Sequence, residues 1–394
     1  MSMSDKKVLI VGSDAVFINN NQIYTQSPFL RFFKYFKPFF LDIKLVAPTR
    51  IEDDITDKWA IGFSQNEIEK LPYFHGVIDF LVKSPVILWK TVSTLKIEIK
   101  KHDFVMILHD DFLGIISSVL ANHYKKPRLL FIGGNQKEVV ANKYKGLKRK
   151  LAITLAVFFE RVNKYYIKRG LLSLITGSDI IANYKKFGPN VYPYFTSLIE
   201  EKDIVEREND FSKQIKIIYA GFLNENKGVN YLIEAGGILE KQGFNIHINI
   251  AGDGPDRELL EDLSKKLNLG VVFHGFITDK EKMNELFLTN NIFVLPSLSE
   301  GIPKVLLEAM AYGLNIITTN VGGISDIVTN NQNGIFIETK SSQDIADKII
   351  ELISNQEKVK MLQQNGYRYV RNHTADKQAK DIVGIIERVY FTSK

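Results

Sequence analysis

Short apolar runs alternate with longer amphipathic stretches along almost the whole chain. In the first half Lys7 to Gly12, Asp42 to Pro48, Asp103 to Leu108, Pro127 to Ile132 and Leu171 to Thr176 read as strands that end in polar residues or glycine. Between them, Gly76 to Lys101 places Val77, Phe80, Leu81, Leu88 and Leu95 at helical spacing, and Asp111 to Tyr124 reads as a second helix. Ser13 to Gln22 reads as a polar loop. The alternation restarts in the second half, with strands at Lys216 to Ala220, Asn245 to Ala251, Val271 to His274, Ile292 to Leu295, Asn315 to Thr318 and Gly334 to Ile337. Helices are expected from near Lys227, Pro255, Asp279, Pro303 and Ser341, followed by Gln356 to Asn372 and Ala375 to Tyr390. Strands separated by helices require parallel sheets covered on both faces. The expected class is therefore α/β, as two Rossmann-like doubly wound domains facing a cleft. The charged stretch around Glu200 to Asp210 divides them, giving domains at 1–195 and 214–372, a linker at 196–213, and a C-terminal helix at 373–394.

A chain of 394 residues is long for one core, which agrees with two domains. Its 45% hydrophobic and 24% charged residues exclude a disordered chain. The absence of cysteine removes disulfides and thiolate metal sites from consideration. The apolar run Val8 to Val11 is too short for a signal peptide, and no stretch reaches the roughly 18 apolar residues of a spanning helix. These features lead to the expectation of a cytoplasmic protein.

The net charge of +6 is modest, but two segments combine basic and aromatic residues: Phe29 to Phe40, and Lys143 to Arg169 with Lys148, Arg149 and Lys150. Such interleaving suits an anionic membrane surface, with rings at the interface and charges among headgroups. A core helix with a basic outer side gives the same pattern. No nucleic-acid-binding motif accompanies the basic residues, so nucleic acid is not an expected partner.

The most informative stretch is Pro296 to Gly323, P-S-L-S-E-G-I-P-K-V-L-L-E-A-M-A-Y-G-L-N-I-I-T-T-N-V-G-G. Glu300 ends a polar loop and Glu308 lies eight positions on, inside an expected helix led by Pro303. That offset spans a little over two helical turns, so both carboxylates can face the same side. The N-terminus of that helix presents a positive dipole end to whatever binds there.

This stretch resembles the E-x7-E signature of retaining nucleotide-sugar glycosyltransferases of the two-domain GT-B fold, family four. The flanking S-x-S-E-G, E-A-M-A-x-G and V-G-G agree as well. The resemblance implies that Glu308 accepts hydrogen bonds from the ribose and that Glu300 meets hydroxyls of the transferred sugar. Tyr219 to Gly228 resembles the family's G-R-L-x-x-x-K-G, which implies that Gly221 and Lys227 hold the donor diphosphate, although Phe222 stands where the arginine is usual. Gly252 and Gly254 resemble a G-x-G-P turn, and His274 ends the segment whose backbone meets the base in this family. Gly301, Ile302, Gly322 and Gly323 complete the implied donor site, the last two letting backbone amides approach an anion. In the first domain the family's histidine position reads Gly133-Gly134-Asn135, leaving His109, with Asp110 beside it, as the catalytic candidate.

Implied, then, is a metal-independent hexosyltransferase that carries no cofactor. It would move a sugar from a nucleotide-diphosphate donor to a glycan or polyprenyl-linked acceptor. No Asp-x-Asp occurs, so a metal-bridged diphosphate is not expected, and Lys227, glycine amides and a helix end take that place. Two other classes fit the same architecture: a nucleotide-sugar epimerase or phosphorylase, and a non-catalytic partner subunit.

Overall fold

The structure, a computed structural model, describes residues 3–74, 85–109, 111–133, 140 and 146–392. The helix expected from Gly76 is described from Pro85 onward, and Asp110, Gly134, Asn135 and Lys143 lie outside the described residues. The chain divides into two compact units, Met1–Thr196 with Ala375–Lys394, and Ser197–Thr374.

Among the described residues the first unit is built on a sheet of ten strands. In chain order these are β1 (Lys7–Val11), β2 (Val16–Asn19), β3 (Gln22–Thr25), β4 (Asp42–Ile51), β5 (Trp59–Ala60), β6 (Ile68–Leu71), β7 (Phe104–Ile107), β8 (Arg128–Gly133), β9 (Leu172–Thr176) and β10 (Val191–Pro193). Among the described residues, the helices between them are α1 (Pro85–Lys101), α2 (Phe112–His123), α3 (Gly146–Ile167) and α4 (Ser178–Lys185). The order is β10-β9-β8-β7-β1-β4-β2-β3-β5, with β6 also paired to β4. Every residue of β7 is buried, as expected of a parallel strand covered on both faces. Leu9, Val11, Ile107, Leu130 and Ile132 meet Leu95 and Ile99 of α1 in one apolar cluster.

Two expectations fail here. The stretch Ser13 to Gln22 is not a loop but most of a hairpin, β2 and β3, in which Asn19 faces Gln22. Asn20 and Asn21 both take positive φ, 44° and 64°, the two-residue turn whose twist matches the strands it joins. The second failure is the membrane reading of Phe29 to Phe40. Leu30–Phe39 winds in 3-10 turns whose Leu30, Phe32, Phe33 and Phe36 are buried. Phe33 stacks on Phe36 and meets Phe131 of β8 edge-on at 5.4 Å. The basic residues reach outward from these rings, Lys37 donating to the Gly62 carbonyl (2.8 Å) and to Glu67 (2.9 Å). The aromatic richness is core, and the lysines cover its edge.

The second unit carries β11 (Ile215–Ala220), β12 (Ile246–Ala251), β13 (Val271–Gly275), β14 (Ile292–Leu295), β15 (Asn315–Thr319) and β16 (Ile335–Ile337) in the order β13-β12-β11-β14-β15-β16, all parallel. This is the doubly wound order of dinucleotide-binding sheets. Its helices are α5 (Val229–Lys241), α6 (Arg257–Lys266), α7 (Lys280–Thr289), α8 (Val305–Ala311), α9 (Ser342–Ile353) and α10 (Gln356–Arg371). Ser341 and Asn355 cap the last two by accepting from the amides of Asp344 and Lys358.

The charged stretch read as a linker is fastened to this unit. The Arg207 guanidinium donates to the carbonyls of Tyr312 (2.7 Å), Phe287 (3.2 Å) and Asn290. Asn209, 1% exposed, donates to the carbonyls of Asn291 (3.1 Å) and Gly313 (3.0 Å) and to Asn315 Oδ1 (2.7 Å). These bonds occupy carbonyls where β14 and β15 begin. The last helix, α11 (Ala375–Tyr390), belongs to the first unit and packs on the Leu30–Phe39 turns.

Candidate active site

In the second sheet β11 and β14 are neighbours, but the chain leaves them toward opposite edges. The loops beyond their carboxyl ends diverge, and such a switch point is where doubly wound sheets bind ligands. Residues 221–228 follow β11 and residues 296–304 follow β14. The Leu298 amide joins the two loops by donating to the Asn226 carbonyl at 2.7 Å.

Across this point Lys227 Nζ lies 2.7 Å from Glu300 Oε1. The Glu300 side chain is 8% exposed and the Lys227 side chain 23%, so the pair is largely shielded from solvent. Ser297 Oγ donates to the same Oε1 at 2.6 Å, and Thr319 Oγ1 holds the Ser297 carbonyl at 2.6 Å. Below the first loop, buried Tyr219 donates its hydroxyl to the Phe222 carbonyl (3.0 Å), and burial and then the charge of Glu300 raise its pKa. Lys227 occupies a single 3-10 turn, Glu225–Lys227, two residues ahead of α5 rather than within a helix.

The helix expected from Pro303 is shorter, Val305–Ala311. Glu308 is half-buried on it. Nearby, the Tyr312 phenol is pushed up to about 12 by burial and by the negative charges of Asp203 and Glu308.

The glycines act mainly on the backbone. Gly252 has φ +144°, and a Cβ there would stand 1.8 Å from the Gly221 carbonyl oxygen. Its amide donates to the Gly275 carbonyl at 2.8 Å, so the turns after β11, β12 and β13 rest directly on one another beside His274. Gly322, with φ +56°, leaves 1.9 Å between a hypothetical Cβ and the Glu300 carbonyl oxygen. The Gly323 amide already donates to the Gly301 carbonyl at 2.8 Å. The pair seats the Glu300-Gly301-Ile302 backbone, and the Gly323 amide is taken by that contact.

His274 Nε2 is 2.8 Å from Asn249 Oδ1, while Asn249 Nδ2 donates to Asn290 Oδ1 at 3.0 Å. The network assigns the proton to Nε2 and leaves Nδ1 as acceptor. Burial, with the positive charges of Lys282 and His247, lowers the His274 pKa.

The first unit has a switch point of its own, between β1 and β7. His109 follows β7 and Asp14 follows β1, with Nε2 and Oδ2 3.1 Å apart. The Phe29 ring meets the imidazole edge-on at 5.8 Å. Burial raises the Asp14 pKa, but hydrogen bonds from His109 and Ser27 and the imidazole charge outweigh it and hold the carboxyl below its ordinary value. Asp14, Ser297 and Tyr219 escaped the sequence reading. Asp14 could have been found from the rule that the first turn after a central strand faces the ligand, and Ser297 from its place three residues before Glu300.

Residues 200–369 match the family model described as glycosyl transferases group 1. The second unit matches the group 1 glycosyltransferase model along nearly its whole length. Among relatives, Protein CapJ of Staphylococcus aureus is 28% identical over 248 residues, which is 61% of this chain and 60% of CapJ. The capsular polysaccharide biosynthesis glycosyltransferase CapM of the same organism is 30% identical over 158 residues, covering 39% of this chain and 40% of CapM. The chain thus spans less than two thirds of the length of either. Its fold as a whole is that of Anabaena HepE, solved in complex with UDP-glucose, at a TM-score of 0.64 over 97% of this chain and 100% of that one, with 13% identity. This is the GT-B fold. Lys227, Glu300, Glu308, His274 and the glycine turns all lie in the group 1 domain, whereas His109 and Asp14 lie outside it. Phe222, where the family signature has arginine, is 56% exposed.

Proposed function

We propose that the protein is a retaining glycosyltransferase that moves a hexose-type sugar from a nucleotide-diphosphate donor to a glycan or lipid-linked acceptor in cell-surface polysaccharide synthesis. The observation that carries this reading is the Lys227–Glu300 pair at the switch point of a group 1 domain. Lys227 is the cation for the donor diphosphate, and its ammonium turns from Glu300 to phosphate when donor binds. Glu300, fixed by Ser297, then accepts from hydroxyls of the sugar, and Glu308 accepts from the ribose. His274 is assigned to the base end of the site. The carboxylate of Glu300 orients rather than attacks, and the departing diphosphate takes the acceptor proton as its own charge is stabilised by Lys227. A lysine in this place makes a divalent ion unnecessary in this reading. His109, held by Asp14, is assigned to acceptor recognition. The link to surface polysaccharide rests on CapM, and the nucleotide-sugar donor on the complex formed by HepE.

The test is a thermal-shift panel of uridine, guanosine and adenosine diphosphates and their sugars, followed by a transfer assay with the best donor. A ligand at about 100 times its Kd raises stability by roughly 2.7 kcal/mol, enough to rank the panel. Stabilisation by no nucleotide rejects the reading. Conversion of donor alone into an isomer, without acceptor, makes the protein an epimerase instead.

A further inference from the structure

Helices α5 and α6 follow neighbouring strands of the second sheet and pack against each other on one face of it. Between them opens a groove of about 620 Å³, the size of a small-molecule site. Val229 at the start of α5 and Leu260 and Leu263 of α6 give it apolar walls, and Leu259, 66% exposed, lies beside them. Four carboxylates line the same groove, Glu225, Glu234, Asp256 and Asp262, against one ammonium, Lys266. Four against one leaves three negative charges in surplus, in a chain whose net charge is +6.

The fold leaves much of this acceptor surface unused. Asn224 precedes the Glu225–Lys227 turn and Asp256 precedes α6, positions where such side chains ordinarily cap, yet neither makes a capping hydrogen bond. Asn224 Oδ1 is buried without a partner, and an unmet buried acceptor costs stability that a bound donor restores. Arg257, next to Asp256 in sequence, is held instead by Asp253 (3.1 Å) and Glu261 (2.8 Å). Glu234 accepts from Ser342 and Asp262 pairs with Lys265 at 3.2 Å, while neither Glu225 nor Asp256 has an ion pair among the described residues. The carboxylates are also spread out, since among the described residues no three metal-ligating side chains converge on a point. Asp256 and Asp262 are six positions apart, about 9 Å along the helix axis, with leucines between them. One point charge cannot serve both, whereas several cationic groups strung along an apolar chain can.

We propose that the α5–α6 groove binds an aliphatic polyamine. Its ammonium groups donate to Glu225, Asp256 and Asp262, one N–H meets Asn224 Oδ1, and its methylenes lie on Leu259 and Leu263. The chemistry of the walls selects this class: acceptors outnumber donors and apolar surface separates them, so the partner is donor-rich, cationic and apolar between its charges. Neither Lys227 nor Glu300 lines the groove, although Glu225 opens the turn that ends in Lys227. The site does not depend on the sugar-transfer reading.

The experiment is isothermal titration of the full chain with spermidine at low salt. The expected result is saturable binding of one equivalent, weakened as salt is raised. Glu225→Gln, Asp256→Asn and Asp262→Asn each lower the affinity about threefold to fivefold, the range of exposed ion pairs, and the triple variant lowers it about fiftyfold. Leu259→Ser keeps every charge and lowers the affinity about threefold, which a cloud of counterions around the carboxylates would not do. Thermal unfolding of each variant, matching that of the native chain, is the control for folding. Magnesium chloride at equal ionic strength leaves the spermidine isotherm in place, a comparison that needs no variant. The proposal is overturned by absence of saturable heat up to about 1 mM spermidine, by full retention of binding in the triple variant, or by an affinity that Leu259→Ser does not change. Displacement of spermidine by magnesium overturns it in favour of a metal ion, and binding of an oligolysine peptide without binding of spermidine overturns it in favour of a basic protein segment.

Discussion

Lys227 and Glu300 are 73 residues apart in sequence and 2.7 Å apart in space, and the ammonium of one is neutralised by the carboxylate of the other. A donor diphosphate must therefore compete with a carboxylate for the same cation. Lys227→Ala is expected to weaken nucleoside diphosphate binding by about 1.5–3 kcal/mol. Glu300→Gln moves the two observables in opposite directions, leaving diphosphate binding unchanged or tighter while lowering kcat. Calorimetry with the nucleoside diphosphate, together with steady-state rates, separates these effects. Looser binding in Glu300→Gln would falsify the competition.

Glu308 sits on α8, and the Ser297 hydroxyl that holds Glu300 binds the other carboxylate. Glu308→Ala is expected to weaken nucleoside binding, raising the Kd for the free nucleoside as well as for the diphosphate. A Kd for free nucleoside that does not change removes Glu308 from the ribose.

Gly322→Ala combines a left-handed backbone with a Cβ forced onto the Glu300 carbonyl. Strain of this kind costs about 1–3 kcal/mol, and the clash adds to it. The expected outcome is a lower unfolding temperature and a larger loss of kcat than of nucleotide affinity, because the displaced backbone carries Glu300. Unfolding curves and kinetics on the same preparation test both halves.

Asn209→Ala removes the donor for two carbonyls and for Asn315 Oδ1 in a site closed to water. Leaving buried acceptors unmet costs about 1–3 kcal/mol. Denaturant unfolding measures the loss, and a change below roughly 0.5 kcal/mol shows that the 197–213 stretch is held by other contacts.

The pH dependence follows from Asp14. Its folded pKa is lower than the ordinary 3.8, so the carboxylate is the form that the fold favours. The stabilisation it brings is fully present above about pH 3.8 and is lost as pH falls through the lower folded value. Asp14→Asn should therefore be less stable than the native chain near neutrality, with the gap closing as the solution becomes acidic. Thermal melts across the acid range check the sign, and a gap that widens in acid contradicts it.

The second sheet could be read from sequence because its strands are short unbroken apolar runs, as in Ile292 to Leu295, each closed by a turn residue. Lys227 and Glu300 were legible because both sit in linear motifs whose residues all lie within a few positions. The Phe29 to Phe40 cluster was misread because a buried 3-10 segment with lysines along its rim has the same composition as a membrane-facing one. Arg207 and Asn209 were hidden in a run of charges, since composition does not distinguish a solvated guanidinium from one donating to several carbonyls. The Asp14–His109 pair spans 95 positions and depends on the strand order, which no local pattern states.

The return of α11 has a consequence for the order in which the chain can mature. Tyr390 donates to the Arg128 carbonyl (2.8 Å) and accepts from the Leu172 amide (3.0 Å), and the helix before it covers the turns that carry Leu30 and Phe32. During synthesis the first unit emerges first, as domains commonly do, yet it remains open until α11 has cleared the ribosome. The second unit, continuous from Ser197 to Thr374, has all its residues available earlier. The residues that complete the first unit are thus made after every residue of the second. Until then the apolar floor formed by Leu30, Phe32, Phe33 and Phe36 lacks the cover that α11 gives it.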